Sequence, residues 1–260
     1  MRGDFRTGKR LNIKRIIPYI ASQYKRDKIW MRRSVPSKRA YQIMLAIDDS
    51  KSMGESGSSS LAFDTLALIS RSLTMLEAGD LSIVGFGSDI SIVHDFGTPF
   101  TSDSGANVVQ SLRFEQSATD VRRLLERSLD MFAEARLRSA SSSAAELWQL
   151  QLIVSDGVCK DHGSIRQLVR RAAEERIMIV FVIVDPAATS NKAGTGGSSI
   201  LDLQTANFGK DAAGNMVVET VKYLETFPFR YYLIVRDVGE LPGVLASALR
   251  QWFAEVVDTA

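Results

Sequence analysis

The chain has 260 residues, of which 45% are apolar and 24% are charged. This composition is ordinary for a globular protein and argues against a disordered or fibrous chain, and the length suits one domain with a small extension. The single cysteine, Cys159, excludes an internal disulfide and favours an intracellular protein. The longest apolar run, Ile177–Val184, is far shorter than the ~20 residues of a membrane helix, and the basic N-terminus lacks the apolar segment of a signal peptide. We therefore expect neither a secreted nor a membrane protein.

The net charge of +2 conceals an uneven distribution along the chain. Residues 1–40 carry thirteen Lys or Arg and two acids, so this basic extension has a charge of +11 and the remainder has −9. Such an extension is typical of a segment that binds nucleic acid or directs nuclear import. Apolar residues are regularly interleaved with its charges: Ile16, Ile17, Tyr19, Ile20 and Trp30. Because a plain basic tail would lack them, we expect the extension to pack on, or lead into, a domain formed by residues 41–260.

From Tyr41 onwards, apolar strands alternate with segments of helical periodicity. The predicted strands are Tyr41–Ile47, Leu81–Phe86, Ser91–Phe96, Leu147–Val154, Ile177–Val184 and Phe229–Val235. The predicted helices run from Leu61 to a stop at Gly79, from Thr119 or Asp120 to about Leu137, from Ser164 to about Arg176, and from about Glu240 to Phe253. This alternation predicts an α/β fold with a doubly wound, mostly parallel sheet, and the strand Ser91–Phe96 is expected at an antiparallel edge.

Residues 186–226 do not continue the pattern. Their periodicity is weak, and residues 194–199 form a Gly/Ser-rich stretch of the kind found in flexible linkers. A loop of about forty residues is unusual inside a domain. We interpret 186–226 as a long insert that is either functional or disordered.

Oxygen-bearing side chains follow two of the predicted strands. Asp48, Ser50 and Ser52 come directly after the first strand in an Asp-x-Ser-x-Ser pattern, and Asp156 follows a later strand. Thr119 lies in the loop that opens the helix between them. Open α/β sheets bind ligands at the carboxyl ends of their strands, so these five side chains are expected to converge there.

Carboxylate and hydroxyl oxygens suit Mg²⁺, with Mn²⁺ or Ca²⁺ as alternatives, and the lack of imidazole and thiolate ligands argues against Zn²⁺. Two carboxylates and three hydroxyls provide too little negative charge and too few ligands for such an ion. We therefore expect a carboxylate of another molecule to complete its coordination. Taken singly, each residue also has an ordinary structural interpretation. The alternative for Ser50 and Ser52 is a turn or N-cap role, and for Asp156 it is an ordinary turn with Gly157. For Thr119 the alternative is an N-cap role, and Ser117 is close enough in sequence to take its place.

An enzyme that uses the same oxygen cluster is the alternative function. A magnesium-dependent α/β phosphohydrolase would need a nucleophilic or basic aspartate beside the metal, and Asp49 is the candidate. Lys51 and Lys160 are the only nearby cations that would clamp a phosphoryl group, which disfavours this alternative. The two histidines, His94 and His162, are expected to be isolated surface residues.

The pattern of Asp48, Ser50, Ser52, Thr119 and Asp156 resembles the metal-ion-dependent adhesion site (MIDAS) of von Willebrand A domains. The resemblance covers about residues 41–185 and 229–255. It implies a doubly wound α/β domain in which these five residues bind the ion, directly or through water, and thereby the partner. Stretches that begin at Met1, Ile16 and Asp27, together with Asp48–Met53, are similar to one member of the family, a domain of a giant dynein-like AAA ATPase of ribosome assembly.

The closer resemblance implies a partner as well as a fold. The partners would be ubiquitin-like domains of pre-60S ribosome assembly factors, each offering a Glu or Asp to the metal, and the location would be the nucleus, in nucleolus or nucleoplasm. The chain would act as a binding domain without catalysis of its own, and its basic extension would contact the pre-60S particle or RNA. The stretch 186–226 departs from the resemblance, because it is shorter and richer in Gly and Ser than the insert expected there.

Overall fold

The computed structural model divides the chain into two units, Met1–Arg39 and Ala40–Ala260. It describes residues 2–5, 10–25, 28–32, 40–55, 58–75, 79–139, 147–185, 199–210, 216–237, 239, 241–245 and 247. Among these residues, no helix is both long and apolar enough to cross a membrane.

The described residues of the first unit form three short strands and one helix: β1 (Arg2–Phe5), β2 (Arg10–Leu11), α1 (Ile13–Ala21) and β3 (Trp30–Arg32). The middle strand of its sheet is β3, which pairs antiparallel with both β1 and β2. Three isoleucines of α1, Ile13, Ile17 and Ile20, share one face of the helix by their spacing and are exposed. The expected packing of this segment on the domain stays a prediction.

The second unit alternates strands and helices as the sequence predicts. Its elements are β4 (Ala40–Asp48), α2 (Lys51–Glu55), α3 (Ser58–Met75), β5 (Asp80–Phe86), β6 (Ile90–His94), α4 (Ser102–Ser111), α5 (Val121–Ser139), β7 (Leu147–Ser155), α6 (His162–Glu174), β8 (Ile177–Val184), β9 (Gln204–Lys210), β10 (Met216–Lys222) and β11 (Tyr231–Val235). Two short 3₁₀ turns, Ile200–Asp202 and Tyr223–Thr226, flank the hairpin of β9 and β10.

Six strands of the second unit form the central sheet, in the order β11-β8-β7-β4-β5-β6. Every neighbouring pair is parallel except β5 and β6, which are antiparallel at the edge. This is the doubly wound order 3-2-1-4-5-6, whose switch point lies between the first and fourth strands, here β4 and β7. The α/β fold with a mostly parallel sheet is confirmed.

Both faces of the sheet are buried, which explains why its central strands are almost continuously apolar. Alternate residues of β4 face opposite sides: Met44 and Ala46 pack in the cluster that includes Phe132 of α5, whereas Leu45 packs in the cluster that includes Leu66 of α3. Each face of the sheet therefore packs in its own core. The edge at the carboxyl ends of the strands lies between the two cores and carries loops.

Several elements differ from the sequence prediction. The helix α4 was not predicted, because its composition is polar; a capping box between Thr101 and Ser104 starts it. The stretch 186–226, interpreted as a long insert that is either functional or disordered, contains the hairpin β9–β10, which was not predicted. Helix α6 begins at His162, capped by Asp161, rather than at Ser164. Of the predicted helix Glu240–Phe253, residues 241–245 and 247 are helical, and the rest lies outside the described residues, as do residues 194–198.

The glycine that ends the helical pattern before β5 generates a stability prediction. Gly79 has a φ of +118°, and a Cβ there would lie 2.0 Å from the carbonyl oxygen of Tyr41. Gly97 also has a positive φ, of +83°, but a Cβ would meet nothing within 4 Å. We expect Gly97→Ala to cost about 1–2 kcal/mol of unfolding free energy, the usual cost of a left-handed alanine. Gly79→Ala should cost at least ~2 kcal/mol more, since the strand backbone cannot move away. Denaturant unfolding of both variants checks this, and equal losses would contradict the close approach.

Candidate metal centre

The end of β4 places Asp48 at the carboxyl edge of the sheet, with no exposed surface. The backbone N–H of Ser50 donates to its Oδ1 at 3.0 Å. The hydroxyl of Ser155, the last residue of β7, donates to its Oδ2 at 2.6 Å, and the Thr119 hydroxyl donates to the same oxygen at 3.3 Å. Three separate segments therefore converge on one buried carboxylate.

Ser52 connects this group to the second carboxylate. Its Oγ donates to Oδ2 of Asp156 at 2.7 Å and lies 3.0 Å from the Oγ of Ser50. The backbone N–H of Val158 donates to the other oxygen of Asp156 at 3.2 Å. Ser52 is exposed and Asp156 is half-buried, so this side of the cluster faces solvent while Asp48 closes the inner side. The structure thus brings together all five side chains that the sequence singles out.

The electrostatics of the cluster favour a cation. Burial raises the pKa of Asp48 above its usual value, hydrogen bonds from Ser155 and Ser50 oppose this, and the negative charge of Asp156 adds to the increase. Within the described part of the chain, neither Asp48 nor Asp156 forms an ion pair with Lys, Arg or His. Two neighbouring carboxylates whose partners are neutral donors form a site of negative potential.

The donor set fits a hard divalent cation. Among the described residues, no three His, Cys, Asp or Glu side chains are grouped so that they could hold a metal ion. Any ion at this edge would therefore be bound by two carboxylates and by hydroxyls, a set that suits Mg²⁺, Mn²⁺ or Ca²⁺. The residues that would hold it are Asp48, Ser50, Ser52, Thr119 and Asp156.

Ser155 belongs to the site although no role was predicted for it from the sequence. Its hydroxyl makes the shortest hydrogen bond to Asp48 and lies 3.4 Å from Asp156. The signal was present, because Ser155 directly precedes Asp156 at a strand end. Its contact with Asp48, however, depends on the pairing of β4 with β7, where Ile47 lies beside Val154.

Asp49, the candidate nucleophile of the alternative enzyme, does not join the oxygen cluster. Its carboxylate is buried and accepts the backbone N–H of Phe114 at 2.5 Å and the side-chain amide of Gln116 at 3.3 Å. The backbone of Gln116 also bonds to Asp49 and Lys51. Asp49 therefore fixes the loop before α5 against the loop after β4.

The structure also decides between the two interpretations of Thr119, as a ligand of the site or as an N-cap. The N-cap of α5 is Asp120, whose carboxylate accepts the N–H of Arg123 at 2.9 Å, so the hydroxyl of Thr119 is free to reach Asp48.

The expectation of two surface histidines was wrong. His94 is buried beside Thr98, and His162 is half-buried with its Nε2 3.2 Å from the hydroxyl of Tyr223.

Comparison with known proteins identifies relatives of the chain. Midasin from Dictyostelium discoideum is 38% identical over 254 residues, or 97% of this chain, and Midasin from Giardia intestinalis is 34% identical over 256 residues, or 98%. The chain is homologous to a segment of midasin. It spans 4% and 5% of the lengths of these two relatives. The sequence resemblance to one giant protein is thereby confirmed, with midasin as that protein, although no family model matches the chain.

Solved structures that resemble the chain are more distant than the midasins. BatB from Bacteroides thetaiotaomicron has a TM-score of 0.49 and 16% identity, covering 82% of this chain and 98% of its own. Proximal thread matrix protein 1 from the mussel byssus, described with zinc in its MIDAS motif, has a TM-score of 0.49 and 11% identity, covering 82% of this chain and 46% of its own. The fold assignment of the midasin-related chain rests on its strand order rather than on these likenesses.

The contrasting environments of two aspartates give a testable difference. Asp49→Ala removes a buried carboxylate and leaves the N–H of Phe114 without its acceptor, so we expect a loss of about 1–3 kcal/mol in unfolding free energy. Asp156→Ala should cost less than ~1 kcal/mol in a chelating buffer, because it also removes repulsion with Asp48. Urea unfolding of both variants tests this, and an Asp156→Ala loss equal to that of Asp49→Ala would show that Asp156 is mainly structural.

Proposed function

We propose that this midasin-related domain is a metal-dependent protein-binding module. The observation that carries the proposal is the cluster at the β4–β7 switch point, where the exposed Ser52 hydroxyl bonds to Asp156 and the neighbouring Asp48 is buried. A bound Mg²⁺ would supply a positive charge with a coordination position open to a carboxylate from outside. The chain's own residues provide the rest: buried donors orient Asp48, and Ser52 and Asp156 form the accessible rim.

The position of Asp49 supports binding over phosphohydrolysis. Its carboxylate is occupied by Phe114 and Gln116, so it does not offer a nucleophile to the cluster. If the domain only binds, its rate of p-nitrophenyl phosphate hydrolysis in millimolar Mg²⁺ should not exceed the rate of an Asp156→Ala variant. A rate that depends on Asp156 and Mg²⁺ would favour the enzyme instead.

The partner we propose is a ubiquitin-like domain of a pre-60S ribosome assembly factor, which presents one Glu or Asp to the ion. Midasin homology and an oxygen-only site that lacks a full set of anionic ligands support this choice. A nuclear location and a contact of the basic extension with the pre-60S particle or RNA belong to the same proposal.

Metal binding is predicted to stabilise the fold. At 100 times its dissociation constant, a ligand that binds only the native state adds about 2.7 kcal/mol, which corresponds to a Tm increase of about 5–10 °C for a domain of this size. We expect this increase with Mg²⁺ or Mn²⁺, its loss in Asp156→Ala, and its retention in Asp64→Ala, which removes an exposed aspartate of α3.

Thermal melts with Mg²⁺, Mn²⁺, Ca²⁺ and Zn²⁺ measure this effect and the preference among ions. The oxygen donors predict that Zn²⁺ gives no advantage over Mg²⁺. A wild-type Tm that none of the four ions raises would contradict the metal site.

Partner binding is predicted to depend on one bridge between the ion and an outside acid. Removing one side of a desolvated charge pair costs ~2–5 kcal/mol, or roughly 30- to several-thousand-fold in affinity. Asp156→Ala, chelation and an Ala in place of the partner's acid should each give a loss of this order. The losses should not add, because each removes the same bridge.

Calorimetry on a double-mutant cycle measures this coupling. Asp156→Ala combined with loss of the partner's acid should bind within about 0.5 kcal/mol of the weaker single variant. Fully additive losses would show that the acid and the site do not meet.

A further inference from the structure

The loop that carries Asp156 is held from one side by a buried phenol. Tyr223 lies in the 3₁₀ turn after β10 and is 5% exposed. Its hydroxyl accepts the backbone N–H of Cys159 at 2.7 Å and donates to the carbonyl of Gly157 at 3.0 Å, with the Cys159 carbonyl at 3.3 Å. The Nε2 of His162 lies 3.2 Å from the same oxygen. One side chain therefore bonds to the backbone at two places directly after Asp156.

The segment 199–227, which contains Tyr223, also contacts the Asp156 loop at a second place, near the start of the segment. A Cβ at Gly157 would lie 2.5 Å from Cδ1 of Ile200, which precedes the hairpin. Ile200 is itself fixed by its neighbour Ser199, whose hydroxyl donates to the buried Asp185 at 2.5 Å. The segment 199–227 thus contacts the Asp156 loop both before and after the hairpin.

Besides Tyr223, two side chains at the start of the loop bond to its backbone: the N–H of Gly157 donates to the hydroxyl of Ser155 at 3.4 Å and that of Val158 to Asp156 at 3.2 Å. Residues Gly157 to Lys160 belong to neither a helix nor a strand. Because buried backbone groups need partners, the hydroxyl of Tyr223 satisfies groups that the loop itself leaves unpaired. Burial raises the pKa of Tyr223 above its ordinary value, so the hydroxyl keeps its proton and acts as both donor and acceptor at neutral pH.

From these contacts we infer that Tyr223 is a positioning residue, which fixes the Asp156 loop so that Asp156 faces Ser52 and Asp48. The inference rests on the proposed function, because the position of Asp156 matters through the ion it would bind. Tyr223 would act only through the loop backbone. The segment 199–227 is then coupled to the metal site although none of its described residues belongs to the oxygen cluster.

The test removes one oxygen atom. Tyr223→Phe deletes the hydroxyl and keeps the ring, which packs against Phe227 at 6.0 Å between centroids. Ser82→Ala is the matched control: it deletes a buried hydroxyl that donates to the carbonyl of His94 at 2.8 Å, on the β5–β6 side of the sheet. Loss of a group that orients a metal ligand typically lowers metal affinity ~10–100-fold. We expect a Mn²⁺ affinity loss of at least ~10-fold in Tyr223→Phe and less than ~2-fold in Ser82→Ala, with similar melting temperatures.

A second measurement follows the loop without metal. Burial raises the pKa of the Cys159 thiol to about 12, so the thiol should react slowly with alkylating reagents in the native protein. In chelating buffer we expect faster Cys159 labelling and faster hydrogen exchange of the Val158 and Cys159 amides in Tyr223→Phe than in wild type. Ser82→Ala should leave both rates unchanged.

The two measurements separate failure of this inference from failure of the proposed function. If wild type and Tyr223→Phe bind Mn²⁺ equally well, the positioning role is wrong and the metal site stands. If wild type binds no Mn²⁺, the metal site is wrong. In that case unchanged exchange and labelling in Tyr223→Phe would overturn the positioning role too, whereas faster rates would still show that Tyr223 holds the loop.

Discussion

Hydrogen bonding to one buried carboxylate organises the carboxyl edge of the central sheet. Asp48 ends the central strand of the sheet with no exposed surface, and a buried charge is costly unless hydrogen bonds replace its water. The donors come from Ser50 in its own loop, from Ser155 at the end of β7 and from Thr119 before α5. Because each donor lies on a different segment, the hydrogen bonds to Asp48 fix the relative positions of three loops.

Asp49 and Gln116 extend this organisation to the outer side of the same loops. The side chain of Gln116 bonds to Asp49, and its Oε1 accepts the backbone N–H of Asp89 at 2.9 Å. Two adjacent aspartates therefore have different roles. Asp49 connects two loops by hydrogen bonds to both of its carboxylate oxygens, whereas Asp48 belongs to the oxygen cluster, which is exposed to solvent at Ser52. This division explains why an Asp-Asp pair at a strand end does not by itself indicate a two-carboxylate catalytic site.

The sequence predicted the central strands and the five clustered side chains well, for physical reasons. A strand covered on both faces must be apolar throughout, so Ile177–Val184 was delimited without error. The oxygen cluster was found because parallel strands bring their carboxyl ends to one edge. Ser155 and Tyr223 escaped prediction because their partners are fixed by strand pairing and by a turn far away in sequence. The hairpin β9–β10 escaped because β9 mixes polar and small residues without a clear alternation.

The connection between β8 and β11 links this hairpin to the edge of the sheet that carries the oxygen cluster. Parallel neighbours need a crossover, most often an α-helix, whose backbone groups are satisfied internally. The described residues between Asp185 and Tyr231 contain no α-helix; aromatic rings cover the sheet there, with Phe227 and Phe229 packed on Phe181. From this connection the hydroxyl of Tyr223 bonds to the backbone of Gly157 and Cys159. Since β8 lies beside β7, the connection that follows β8 reaches the loop that follows β7 and carries Asp156.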